Sequence, residues 1–448
     1  MSISLMGYSR KNQSIIDGAV TYTPTSMLSS VTDPATNITW TFDTSYESGQ
    51  YLDGSWFVIG SPSITNITRP SGVAGQDGSM LNPTYFSGNQ GYGQNVGTND
   101  TTQYLAYNSA NNAANNLPLS LSANDMLVST TTGTYTGSGH TYYRILNAAQ
   151  LTIVNAVPLA NSFRPCFSRA SSAAQFTEDD IDYTKLQNLA PVGSPPSFAS
   201  FDGYYTMPFL NHWRDWATYF LIPHSGYPYG YGRDWAANIL SAVLLVNSNY
   251  TNAQKRDLLI RLIQVGLDIW GQYDEGGAEW DPDGGHNHGR EFMIRFAGRM
   301  LGNSAMENFV PSSDEVFGER GQTFFVDSSY YSAGYTSADL GKPEWAMHGP
   351  TVDPVNAWPS PSVAKNYRQC CSATCWGAQH LLALAYGWRH GAWDCEEFYQ
   401  YFDLWMTWED AQWDAWTRSM WNQYRDGYGE KWVRDNPADV LSNGSVIP

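Results

Sequence analysis

Charge is what this sequence has least of. Asp, Glu, Lys and Arg make up 15% of its 448 residues, against about 25% in ordinary globular proteins. The 24 basic residues are outnumbered by 42 acidic ones, giving a formal charge of −18. So negative a molecule repels phosphate backbones and anionic bilayers, which argues against nucleic acid as a partner. No run of 18 apolar residues occurs, so membrane insertion is not expected. Cysteine is scarce too: Cys166, Cys370, Cys371, Cys375 and Cys395 are too few for a disulfide framework in a chain this long. Met1 to Ser14 places a basic pair after its weakly apolar part, the wrong order for a secretory leader, so no signal peptide is visible in this stretch. What is abundant is apolar and aromatic: 42% hydrophobic and 15% aromatic residues, enough for the cores of about two or three domains.

Composition changes abruptly near residue 200. Before it stand Trp40 and Trp56; after it come 16 of the 18 tryptophans, seven of the eight histidines and 17 of the 24 basic residues. Acid/base and anion-binding chemistry is therefore expected in the second half. The first half is rich in Thr, Ser, Asn and Gly, with short alternating runs such as Ile38 to Phe42, Ser55 to Ile59, Thr141 to Leu146 and Leu151 to Val157. Broken by Asp53-Gly54 and Asp77-Gly78, these runs read as strands of an antiparallel sandwich. Leu189 to Phe201, rich in Ser and Pro, reads as a linker, which sets a β-rich domain over 1–195 and a helical one over 196–448. There, Asp234 to Leu245, Asn252 to Trp270, Arg290 to Leu301, Ala373 to Tyr386 and Cys395 to Trp421 carry apolar residues at steps of three and four, the helical period. Long Gly-, Pro- and aromatic-rich loops join them, and loops of that length are usually functional.

Gly284 to Arg290, GGHNHGR, opens one of those helices. His286, Asn287, His288 and Arg290 gather donors where the helix dipole already favours an anion, so a carboxylate suits this place. A metal held by His286 and His288 lacks a carboxylate at set spacing; no cofactor is expected, with a structural or charge-neutralising ion left open. Pro223 to Asp234 places His224, Tyr227, Tyr229, Tyr231 and Arg233 on a Gly/Pro-punctuated loop, where tyrosines can stack on sugars or move protons. Trp280, Trp345, His348, Tyr367 and Arg368 stand where loops meet helices. Plain packing competes with each reading: it is the expectation for His380, His390 and the tryptophan series 405, 408, 413, 416 and 421. Buried thiols on one helix face are the expectation for Cys371 and Cys375.

Three segments carry a resemblance: GYGRD (Gly230 to Asp234), QVGLDIW with GGHNHGREFMIRFAGRMLG (within Gln264 to Gly302), and YRQCCSATCWGAQHLLAL (Tyr367 to Leu384). With a β-rich module beside Trp/Tyr-rich helical hairpins, they look like the α/α-toroid polysaccharide lyases and their bacterial or phage carbohydrate-active relatives. The resemblance implies an incomplete helical barrel after the sandwich-like domain, and β-elimination on an acidic polysaccharide such as alginate or glucuronan. It implies roles as well: Asn287 and Arg290 on the uronate carboxylate, His286 or His288 as base, and Tyr229, Tyr231 or Tyr367 as acid. Arg233 and Arg368 would hold neighbouring carboxylates, Trp280 and Trp345 would stack on sugars, and His224, Tyr227 and His348 would complete the binding surface. Such a protein would act outside the cell or on a virion.

Two other functions fit the residues. A glycoside hydrolase of the α/α-barrel kind needs paired carboxylates, and Asp234, Glu279, Asp281, Asp283, Glu344 and Asp353 supply candidates. A glycan-binding phage or particle protein without catalysis suits the Ser/Thr/Asn/Gly-rich first half. Oligomeric state is not legible in the sequence.

Overall fold

A computed structural model describes residues 21–72, 77–84, 90–92, 107–137, 140–168, 176–211, 221–225, 231–274, 276–333, 335–337, 339–348, 371–406 and 414–429. The first half is one curled, mixed sheet shaped as a half-barrel. Its strands are β1 (Ser26–Thr32), β2 (Thr39–Gln50), β3 (Trp56–Ile59), β4 (Ser63–Thr68), β5 (Ser79–Leu81), β6 (Leu119–Ser120), β7 (Met126–Gly137) and β8 (His140–Val154), in the order β5-β7-β8-β3-β2-β4-β6 with β1 on β2. One difference from expectation is the parallel pairing of β3 with β8, Trp56 opposite Leu151 through Ile59 opposite Val154. Parallel neighbours need a long crossover, and the intervening β4 to β7 provide it. The other difference is the second layer. Leu127, Ala149, Leu151 and Ile153 point into the sheet's own core with Trp40, Phe42, Val58 and Ile64, whereas Val128, Ile145 and Ala148 point the other way onto Cys166, Phe167, Leu210 and Leu221. β7 and β8 are thus covered on both faces, and what covers the second is the chain leading to the helices rather than another sheet.

Helices α1 (Gly232–Val246), α2 (Asn252–Asp274), α3 (Arg290–Met300), α4 (Ser304–Glu307), α5 (Gly318–Gln322), α6 (Gly377–Ala385), α7 (Glu396–Trp405) and α8 (Ala415–Tyr424) pack around one aromatic-rich core, with a small hairpin of β9 (Thr323–Phe325) and β10 (Pro343–Trp345). The period-3.6 reading of Cys395 to Trp421 covers two helices. Asp414 starts the second by accepting from Trp416 N at 3.0 Å and from the Thr417 hydroxyl. Trp405, Trp416 and Trp421 are buried, as packing residues should be; Trp408 and Trp413 lie outside the described residues. His380 is packed between Trp421 Nε1, which donates to its Nδ1 at 3.1 Å, and the Tyr399 carbonyl, while His390 is exposed. Among the described residues no helix is long and apolar enough to cross a membrane.

The Ser/Pro-rich stretch is no free linker. Leu189 donates to Asn247 O and accepts from Asn249 N, and Leu189 and Phe201 are buried in the helical core, as are Phe163, Ile181 and Leu186. The helical unit's core therefore begins near residue 163. Ser and Pro marked backbone that is neither helix nor strand, not backbone that hangs in water. Arg164 joins the two halves. Its Nε reaches Asp53 at 2.8 Å, and its Nη1 and Nη2 reach Asp268 of α2 at 2.7 and 2.6 Å. Gln150 of β8 accepts from Nη1 at 3.1 Å.

Candidate functional site

Gln322 at the end of α5 organises the Gly284–Arg290 loop. Its amide nitrogen donates to Gly284 O at 2.7 Å and Met347 O at 2.8 Å, so its oxygen faces His288 Nε2 at 2.8 Å and Trp345 Nε1 at 3.3 Å. That network assigns the ring proton to Nε2 and leaves His288 Nδ1 facing the Cys375 thiol at 3.5 Å. Both side chains are buried. Burial, helped by Arg290 and His286, pushes the His288 pKa down to about 3 against the Gln322 bond. Burial and Glu319 hold the Cys375 thiol well above its usual range, so it is a hydrogen-bonded thiol rather than a thiolate. Cys371 and Cys375 do not share a helix face. Cys375 closes a 3-10 turn (Ala373–Cys375), and Cys371 is disulfide-bonded, with its carbonyl against Gly285.

On the other side of the loop the side chains are half-buried. Tyr231 and His286 meet edge to face with ring centroids 4.2 Å apart, and the Tyr231 oxygen accepts from Gly285 N at 3.2 Å. This approach needs glycine at 232, where a Cβ would fall 1.9 Å from His286 O. Arg233 lies over the Tyr231 ring at 5.2 Å and pairs with Asp234 at 2.7 Å. Burial pushes the His286 pKa down to about 4; Arg290 and Arg233 add to this and Asp283 opposes it. His348 Nε2 stands 3.6 Å from Asp283 Oδ1 and also lines a cleft of about 350 Å³ with Glu279, Asp281, Ser313 and Glu315. Burial and the neighbouring Asp281 and Asp314 raise the Glu315 pKa.

The structure thus brings together Tyr231, Arg233 and His286, and links His348 to them only through Asp283, which acts on His286. Other expected contributors it seals away. Arg290 is fully buried, bonded to Asn211 Oδ1 at 3.0 Å and His288 O at 2.6 Å, with its guanidinium 4.3 Å over Trp235. Asn287 is buried and donates to Asp281 O. Trp280 stacks on Phe317 and Trp345 bonds Gln322, so both are core rings rather than sugar platforms. His224 sits at the sheet junction, its backbone donating to Ile145 O. Tyr227, Tyr229, Tyr367 and Arg368 lie outside the described residues. The acidic group that meets the α3 N-terminus is the chain's own side chain: Glu319 accepts from Gly289 N, the left-handed residue (φ 85°) before the helix. Sequence reasoning missed Glu315, Glu319 and Gln322, which lie in a stretch with no motif spacing. Among the described residues no group of three or more His, Cys, Asp or Glu is gathered as a metal ion requires. No family model matches this chain, and no curated protein or solved structure matches it either.

Proposed function

We propose that this protein is a polysaccharide lyase whose helical part is an α/α-toroid, cleaving an alginate- or glucuronan-like polymer by β-elimination outside the cell or on a virion. The observation that carries the reading is the Tyr231–His286 ring pair beside Arg233, with Asp283 acting on His286 and standing 3.6 Å from His348. An imidazole with a pKa of about 4 is neutral at physiological pH and can accept a proton. In the proposed step His286 takes the C5 proton of the uronate. The C–H electron pair becomes the C4–C5 double bond, the C4–O bond breaks, and Tyr231 protonates the departing oxygen. Arg233 stabilises the charge that develops on the carboxylate. The molecule's negative charge opposes a polyanion, so Arg233 must act within a Debye length, about 8 Å at physiological salt.

A specific observation favours a second reading, hydrolysis. The cleft carries Glu279, Asp281 and Glu315, and a raised pKa suits Glu315 to the general acid of a carboxylate pair. Incubation with alginates, glucuronans, pectins, ulvan and glycosaminoglycans, followed by ultraviolet absorbance of the new double bond and by reducing ends, separates the two. Rising absorbance that falls about 10²- to 10⁴-fold in Tyr231→Phe and His286→Asn supports elimination. Reducing ends without absorbance, abolished by Glu315→Gln, would replace it with hydrolysis.

A further inference from the structure

We propose that Glu319 is carried as the neutral acid and in that form is the positioning residue of the Gly284–Arg290 loop. Glu319 is fully buried on α5. Gly289 N and Gln379 Nε2, the latter at 3.2 Å, converge on Oε1, and the residue's own backbone N–H also favours the ionised form. Oε2 is buried and meets no donor among the described residues. A buried carboxylate needs donors on both oxygens and a counter-charge; a carboxylic acid needs a donor on its carbonyl oxygen and an acceptor for its O–H, and Gln379 Oε1, on the amide whose Nε2 bonds Oε1, is buried with no donor of its own among the described residues.

Among the described residues no cation answers Glu319. On α3 it faces Glu291, which raises the cost of ionising it. From the 3-10 turn before α6 it faces the Cys375 thiol, and from α6 the neutral Gln379. The guanidiniums nearby belong to Glu291, which Arg295 reaches at 2.6 Å and Arg320 at 3.0 Å. His288, one residue before the amide that Glu319 holds, is neutral. Burial therefore dominates, with Glu291 adding to it, and the Glu319 pKa stands at about 7. Through Gly289 N the carboxyl sets where the loop turns into α3, and hence how His286 and His288 are presented on either side of it.

The linkage has a definite sign. A folded-state pKa above the unfolded value of about 4.5 means that the native protein binds the extra proton. The stability it contributes is complete below pH 4.5 and is lost as pH rises towards 7. Wild type, Glu319→Gln and Glu319→Asp test this in the full chain. Glu319→Gln keeps the acceptor on Gly289 N and cannot ionise. From pH 4.5 to 8 the unfolding equilibrium of wild type should worsen relative to Glu319→Gln by about 150-fold, given a carboxyl pKa of about 4.5 unfolded and about 7 folded. At pH 6 the infrared carbonyl stretch of an un-ionised carboxyl should appear in the wild-type-minus-Glu319→Gln difference, because Asp33, with a pKa of about 6, contributes equally to both proteins. Glu319→Asp, shorter by one methylene, should lose hydrogen-exchange protection at Gly289. Parallel stability curves with no such infrared band would show an ionised Glu319, and unchanged protection at Gly289 in Glu319→Asp would remove the positioning role. None of these readouts depends on the reaction, so a protein that cleaves no polysaccharide overturns the lyase reading and leaves this one standing or falling by itself.

Discussion

Two of the polar junctions buried among the described residues are built on opposite terms. Beneath the sheet, Arg164 has its Nε on Asp53 and its two terminal nitrogens on Asp268, and Asp268 also accepts from Phe209 N. Beneath the Gly284–Arg290 loop, His288, Cys375 and Glu319 are just as buried but have no opposite charge among them. The carboxyls of α3 and α5 make the contrast within one junction. Burial works against ionising Glu291, yet Arg295 and Arg320 hold its pKa below the usual range, while Glu319, which no cation among the described residues answers, is pushed up to about 7. Matched charges bolt elements together: burial raises the Asp268 pKa, and Arg164 and the Phe209 amide work against that rise. Unmatched groups cost stability that depends on pH, and such a cost is what sites of proton transfer carry.

The sharpest way to break the comparison is to unmatch the matched junction. Arg164→Met leaves Asp268 and Asp53 buried without their cation, and should cost about 3–5 kcal/mol by urea unfolding. Adding Asp268→Leu should recover part of that loss, because the second substitution removes the stranded charge. A cost under about 1 kcal/mol for the single variant would mean that the halves are held by apolar packing alone.

The next effect is the acid side of the unmatched junction. His288 has a folded pKa of about 3 against an unfolded one near 6.5, so the unfolded chain binds the extra proton. Its contribution is complete above pH 6.5 and is lost as pH falls. Between pH 6.5 and 4.5 wild type should lose about 2–3 kcal/mol more than His288→Asn, whatever the fixed cost of the smaller side chain. Equal slopes for the two proteins would show that His288 protonates in place.

Much of this was legible in the sequence, for physical reasons that differ by element. The helices declared themselves because α1, α2 and α3 bury wide stripes at the 3.6 period, and the loop at 284–290 stood out through residue types rare elsewhere in the chain. The exposure of its side chains did not. Whether Arg290 meets a substrate or Trp235 depends on α1, fifty residues away, and no local pattern encodes it. Glu319 and Gln322 were invisible because an acid and an amide in Gly318–Gln322 look like a solvated turn; only the packing of α3, α5 and α6 makes them buried. The parallel β3–β8 pair was hidden for the same reason, since strand alternation reports faces and not neighbours.

The smallest effect isolates burial from geometry. Arg256 of α2 grips both carboxylate oxygens of Glu178 through Nε and Nη2, the latter at 2.6 Å from Oε2, a two-pronged pair like the one Arg164 makes with Asp268 through Nη1 and Nη2. The difference is water: Arg256 is 44% exposed and Arg164 1%. Solvent and salt screen the exposed pair, and Asp257 on Arg256 Nη1 keeps that guanidinium paired when Glu178 is lost. Glu178→Gln should therefore cost less than about 1 kcal/mol in urea unfolding, and less still at high salt. If it cost as much as Arg164→Met, bidentate geometry rather than burial would be what makes the Arg164 junction strong, and the contrast between the two buried junctions would have to rest on hydrogen-bond count instead of on charge matching.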